Sequence, residues 1–157
     1  GFGDIRSGEY WIGLDTLHRL TRDRPYELMV EMSVGEEAAS SVYTTFQVGA
    51  PSDQFRLRVE GYDQEKSTGG DSMEYHNGFR FSTIDRDNDG AEGGSCSEWS
   101  GGGGWWYNYC YFSNPTAKYG GDLNSTAQSD SYLEWRKWQG YYTFLSALTM
   151  KIRPRQA

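Results

Sequence analysis

At 157 residues the chain has the length of one domain with a core of its own. Its formal charge of -7 excludes a phosphate-tracking nucleic-acid surface and adhesion to anionic membranes, both of which need clustered Lys and Arg. No apolar run reaches membrane-spanning length, which excludes a membrane-inserted helix, and no signal peptide is visible.

The chain starts without Met, at "GFGDIRSGEYW", and reads as a processed or truncated piece of something longer. Next, "DTLHRLT" (15–21) predicts one or two helical turns capped by Asp15 and carrying Leu17 and Leu20. Three segments then alternate with period two. "YELMVEMS" (26–33) aligns Tyr26, Leu28, Val30 and Met32, and "SSVYTTFQV" (40–48) aligns Val42, Thr44, Phe46 and Val48. "QFRLRVEGY" (54–62) sets Phe55, Leu57 and Val59 against Arg56, Arg58 and Glu60. Such alternation predicts strands with one buried face, and the polar links between them suit an antiparallel meander. Residues 63–125 show almost no periodicity, and "YYTFLSALTMKIRP" (141–154) predicts a strand returning to the sheet, ended by Pro154. A loop region this long needs something other than a sheet to fix it, and a metal ion, a disulfide and buried aromatics are the available devices. All three candidates fall within 81–135.

"FSTIDRDNDG" (81–90) spaces Asp85, Asp87 and Asp89 as an EF-hand loop begins, with Gly90 at the sixth position. The twelfth position should be a bidentate Glu and is Cys96, and the flanks are poor helices, so the EF-hand fails. Closely spaced carboxylates still repel one another unless a cation or strong hydrogen bonds compensate them. Calcium suits carboxylates joined by carbonyls from an adaptable loop, such as "DGAEGGS"; the bland alternative is a solvated acidic turn. Cys96 and Cys110 stand 14 positions apart with no zinc-ligand cluster nearby, which leaves a disulfide or two free thiols. Eight aromatics run from Trp99 to Tyr119, and rings with a polar handle make walls for amphipathic ligands. At least one of Trp105 and Trp106 is expected in the core, whereas Tyr109 and Tyr111 are expected on the surface, sharing a face if extended. Asn124-Ser125-Thr126 is an N-glycosylation sequon. No nucleophile or phosphate-loop motif is present, and the only histidines are His18 and His76, so binding is favoured over catalysis.

"GFGDIRSGEYWIGLDTLHRLT", "GDSMEYHNGFRFSTIDRDND", "C…GGWWYNYC" and the closing "MKIRP" together resemble the fibrinogen C-terminal, or fibrinogen-related, domain. The resemblance implies an α+β fold, an antiparallel sheet with short helices and a long loop-rich subdomain stabilised by calcium and a disulfide. It implies one domain over 1–157 lacking the family's N-terminal subdomain. Residues 1–62 and 141–157 would form the central sheet and 63–140 the calcium- and ligand-binding part. The implied cofactor is Ca2+, held by Asp87 and Asp89 with backbone carbonyls from Ala91 and Gly93. The loop is one residue longer than the usual pattern, so Glu92 or Gly94 are the alternative carbonyl donors, with Asp85 in support. A Cys96–Cys110 disulfide is implied too, beside a pocket where the peptide before the second cysteine, here Tyr109–Cys110, is often cis.

Family members bind acetylated sugars on microbial surfaces (ficolins, tachylectins), peptide knobs (fibrinogen), or matrix and receptor partners (tenascins, angiopoietins). This sequence departs from the acetyl-binding pattern in three places. Tyr111 replaces a common histidine, "NPTAKY" replaces "NLNGxY", and Ser129 and Asp130 stand where a tyrosine and a small residue often line the pocket. The expected ligand site comprises Trp99, Tyr109, Cys110, Tyr111, Ser129 and Asp130. The expected function is a secreted, extracellular, calcium-dependent, lectin-like recognition protein of innate immunity, taking acetylated sugars or other microbial surface glycans. The alternative is an extracellular-matrix or receptor-binding module with a protein partner and no sugar site. The full-length protein is expected to oligomerise, because avidity from linked copies offsets weak single-site sugar binding.

Overall fold

Alternating apolar residues build the centre of the molecule. The computed structural model describes residues 1–119 and 131–156. Strands β3 (Tyr26–Val34), β4 (Glu37–Val48), β5 (Leu57–Tyr62) and β6 (Ala147–Pro154) form an antiparallel sheet of order β5-β4-β3-β6. Tyr26, Leu28, Val30 and Met32 face the core, as their period of two requires. The final apolar segment returns as expected and pairs Tyr26 with Pro154 at its end.

In β4 the inward face changes along the strand. Leu28 pairs with Tyr43 but Tyr26 with Phe46, so β4 carries one residue more than β3 between these pairs. This bulge turns Ala39, Ser41 and Tyr43 inward before it and Phe46 and Val48 inward after it. The single face of Val42, Thr44, Phe46 and Val48 therefore holds only for its last two residues. Before β5, Pro51–Asp53 form a 3-10 turn, and Gln54 and Phe55 adopt positive φ, which delays the strand to Leu57.

Helix α1 (Leu14–Thr21) follows Gly13, and Asp15 lies in its first turn rather than capping it. Its buried positions are Leu17 and Thr21, while Leu20 is exposed. The Thr21 hydroxyl takes part in that burial by accepting the Val48 amide at 3.0 Å, so the helix docks on β4 through a polar contact. A two-stranded ribbon, β1 (Phe2–Asp4) with β2 (Glu9–Trp11), precedes it and was not anticipated. It is short and almost wholly exposed, so it carries no burial period to read.

The long loop region folds on indoles. Trp105, Trp106 and Trp135 are fully or almost fully buried, and they join the sheet residues in one core cluster. Each such ring removes enough surface from water to contribute on the order of 4 kcal/mol of transfer free energy. Two of the indole nitrogens are hydrogen-bonded in place, Trp106 Nε1 donating to the Phe55 carbonyl at 2.7 Å and Trp135 Nε1 to that of Gly69 at 2.9 Å. Two one-turn helices, α2 (Cys96–Trp99) and α3 (Arg136–Gln139), and a 3-10 turn over Glu74–His76 complete the regular structure among the described residues.

Candidate functional site

The acidic loop is organised by its own side chains. Thr83 and Arg86 exchange backbone hydrogen bonds of 2.9 and 3.1 Å, closing a tight turn. Asp85 accepts the Thr83 hydroxyl at 2.6 Å, which holds its carboxyl below the usual range and commits it to the turn. Asn88 anchors the loop to the core side, its amide reaching the Ser82 hydroxyl and its side chain the Phe81 carbonyl. Asp87 Oδ1 accepts the Asp89 amide at 3.1 Å. Asp89 accepts the amide of Ala91 on Oδ1 at 2.8 Å and that of Cys96 on Oδ2 at 2.7 Å. Burial pushes the Asp89 carboxyl up, and the neighbouring Asp87 carboxylate adds to the rise.

These residues fit a hard cation. Two adjacent carboxylates, one of them partly desolvated, form a site whose repulsion a divalent ion would relieve. Among the described residues the carbonyl oxygens of 91–94 accept no hydrogen bond, so oxygen ligands are at hand beside them. No group of three or more His, Cys, Asp and Glu side chains gathers among the described residues, so backbone oxygens would have to complete the shell. That donor set suits calcium.

The disulfide Cys96–Cys110 spans Cα atoms 5.0 Å apart and ties this loop to the next. Asn108 is the second tie. Its carbonyl accepts the Gly90 amide at 3.0 Å, and its side-chain Nδ2 donates to the Tyr75 carbonyl at 2.9 Å. Tyr75 in turn donates its hydroxyl to the Tyr109 carbonyl at 2.9 Å. The Tyr109–Cys110 peptide is trans, in contrast to the cis bond that the resemblance suggested; the chain turns instead through Cys110, at φ 51°.

That turn decides where the rings go. Tyr109 is 65% exposed, whereas Tyr111 is 2% exposed, because a left-handed residue between them breaks the extended alternation. The expected surface position of Tyr111 is thus corrected to the core. Both Trp105 and Trp106 are core residues, as is Tyr107. Trp99 is half exposed, with its ring against the acidic loop rather than facing Tyr109 across a pocket. Ser129, Asp130 and the sequon at Asn124 lie outside the described residues.

Several site residues were missed by sequence reasoning. The Arg136 guanidinium lies 4.2 Å from the ring centre of Tyr111 and 4.4 Å from that of Tyr141, and its Nη1 donates to the Tyr111 carbonyl at 2.8 Å. Phe112 packs edge-on to Tyr75 at 4.6 Å and lies 6.5 Å from Tyr141. His76, completely buried beneath Tyr75, accepts the amides of Phe112 and Ser113 on Nε2, both at 3.2 Å. The only hint was the bunching of Tyr75 and His76 in one quoted motif. The result is an outward aromatic surface of Tyr75, Tyr109, Phe112 and Tyr141 beside the disulfide, braced from below by Arg136 and His76.

The antiparallel sheet carrying an acidic loop pinned by one disulfide is the architecture this chain shares with fibrinogen-like globe domains. Residues 1–155 match the family described as fibrinogen beta and gamma chains, C-terminal globular domain, and the chain belongs to that family. Tenascin-R of Homo sapiens is 38% identical to it over 154 residues, and Tenascin of Gallus gallus 39% identical over 154 residues. These matches cover 98% of this chain but 10% and 8% of the tenascins, so the chain spans about a tenth of the length of these curated relatives. The fibrinogen-like globe domain of human ANGPTL2 superposes with a TM-score of 0.88 at 33% identity, covering 98% of this chain and 68% of that one. The fibrin D-dimer of lamprey, complexed with the peptide ligand Gly-His-Arg-Pro-amide, gives 0.82 at 30% identity, covering 95% and 52%. No helix among the described residues is long and apolar enough to cross a membrane.

Proposed function

We propose that this chain is an extracellular interaction module that docks a protein or peptide partner on the aromatic surface beside Cys96–Cys110. One observation carries the reading: Tyr111 is buried under Arg136 while Tyr109 and Tyr141 project outward. A buried Tyr111 cannot stack on a sugar ring, whereas exposed tyrosines braced by an arginine are the side chains that dominate protein interfaces. The tenascin relatives support the same choice, since they lie in the branch for which the resemblance implies matrix or receptor contacts. A lamprey relative solved with a peptide supports it again.

Asp87 and Asp89, with carbonyls from residues 91–94, would hold calcium in this reading. The ion would supply positive charge that offsets the two carboxylates and fixes the loop. Its influence on the partner surface is indirect, carried through Cys96 and through the Gly90–Asn108 bond.

The test is solid-phase binding to extracellular-matrix proteins, with N-acetylglucosamine and an acetylated-glycan array as competitors. Saturable binding that the sugars leave intact, weakened about tenfold by Tyr109→Ala or Tyr141→Ala, is the expected result. Binding that free N-acetylglucosamine abolishes would overturn it and restore the glycan reading.

A further inference from the structure

From the contact between Trp99 and Gly94 we infer that Trp99 is a positioning residue for the metal loop, its indole clamping the backbone of 91–95 so that a bound cation leaves slowly. The inference rests on the calcium reading of Asp87 and Asp89. It adds a role for a side chain that ligates nothing.

The connection runs through α2. Asp89 Oδ2 accepts the amide of Cys96, the first residue of this helix, at 2.7 Å. One turn later the Trp99 amide donates to the Ser95 carbonyl at 3.0 Å, which fixes Trp99 above the residues just before the helix. The Ser95 hydroxyl accepts the Glu98 amide and caps that turn. Trp99 is thereby aimed back at the loop. A methyl group added to Gly94 would overlap the indole at Cζ2, Cη2 and Cε2, so the ring lies directly on the Gly94 backbone. Gly94 has no positive φ, so the glycine is required there by the ring and not by the backbone.

Trp99 is 49% exposed and stands outside the hydrophobic core cluster, so one face of a large ring is wet and the other covers the loop. The segment it covers, "AEGGS", has two glycines, one of them at φ +83°, and would otherwise lose much conformational freedom when it wraps an ion. A ring that holds this backbone in place beforehand lowers that cost and keeps water from the inner side of the loop. Both effects act on the cation's departure more than on its arrival. Residues that orient a metal shell without joining it typically change metal affinity about 10–100-fold when replaced.

The experiment titrates calcium into the full chain by calorimetry and follows its release into a chelator by stopped flow. Parent, Trp99→Ala, Trp99→Phe and Gly94→Ala are compared. The expected result is a calcium Kd raised about tenfold or more in Trp99→Ala, mostly through faster release. Trp99→Phe should recover most of the loss, and Gly94→Ala should weaken binding in the same direction because its methyl displaces the ring. Calcium should also change the tryptophan emission of the parent, and that change should be absent from Trp99→Phe, which retains the other indoles. A fold defect alone would lower the melting temperature in chelator without altering the release rate of the folded fraction, and that pattern overturns the inference. So does a parent-like release rate in both Trp99→Ala and Gly94→Ala. A parent chain that binds no calcium overturns the metal reading itself and this inference with it.

Discussion

His76 Nδ1 lies 2.8 Å from the carbonyl oxygen of Trp106, and this contact fixes the tautomer of a completely buried imidazole. The proton must sit on Nδ1, because Nε2 already accepts the amides of Phe112 and Ser113. Burial, with the Arg136 charge adding to it, pushes the pKa of His76 down to about 4, from 6.5. A proton forced onto Nε2 would point at two N–H donors.

The consequence for pH has a definite sign. Above the ordinary histidine pKa both folded and unfolded chains hold a neutral His76, and its contribution is intact. As pH falls from 6.5 towards 4 only the unfolded chain gains the proton, so stability drops by about 3 kcal/mol across that window. NMR should find the His76 ring neutral, with its proton on Nδ1, at pH 5.5. An imidazolium signal from the folded chain at that pH contradicts the prediction.

Calcium removal is the second prediction. An ion bound only by the folded chain stabilises it by RT ln(1 + [L]/Kd), about 2.7 kcal/mol at a hundredfold excess over Kd. The melting temperature should therefore fall on chelation, and Asp87→Ala should abolish the difference. Because Asp89 also accepts two backbone amides, Asp89→Ala should cost stability even in chelator, where Asp87→Ala costs less. Superimposable melting curves with chelator and with millimolar calcium would sink the metal site.

How far such features could be read in advance depended on how local their causes are. The burial of Tyr26, Leu28, Val30 and Met32 follows from period two alone, and so does the pairing of neighbouring strands. The bulge in β4 left no compositional mark, so Tyr43 came out on the unexpected face. Tyr111 was misplaced for a similar reason: one backbone dihedral, at Cys110, overrides the alternation. His76 binds groups 30 or more positions away in the chain, and no spacing rule reaches that far. The acidic loop was legible because its carboxylates sit within five residues. The aromatic surface was not, because it joins residues from three separate segments.

Reduction of the disulfide is the third prediction. Closing a loop of about 15 residues is worth roughly 3 kcal/mol in the chain-entropy view. Cys96 and Cys110 also join the two loops that share the Gly90–Asn108 bond. Hydrogen exchange after reduction should accelerate first at the amides of 90 and 108–113, with β3 and β4 unchanged. Uniform acceleration that includes the sheet would show that the loops and the sheet form one cooperative unit.

Arg136→Lys is the last. Arg136 donates its Nε to Glu134 at 2.9 Å and its Nη1 to the Tyr111 carbonyl at 2.8 Å, while its plane lies between two tyrosine rings. Glu134 is fully buried and also accepts the Tyr142 amide at 3.0 Å, so this pair is sealed rather than screened. Lysine keeps the charge and has three donors, but they share one nitrogen with neither the planar fork nor the stacking face, so it cannot reproduce both hydrogen bonds and the ring contacts together. Removing a hydrogen bond to a charged group costs roughly 1.5–3 kcal/mol, and losing the stack adds to it. Arg136→Lys should therefore destabilise the chain by about 2 kcal/mol in denaturant melts. Tyr141 should lose its platform and the aromatic surface its shape, so partner binding should weaken even in the folded fraction. Parent-like binding by folded Arg136→Lys would mean that Tyr141 and its arginine support lie outside the docking surface, which would then centre on Tyr109 and Tyr75.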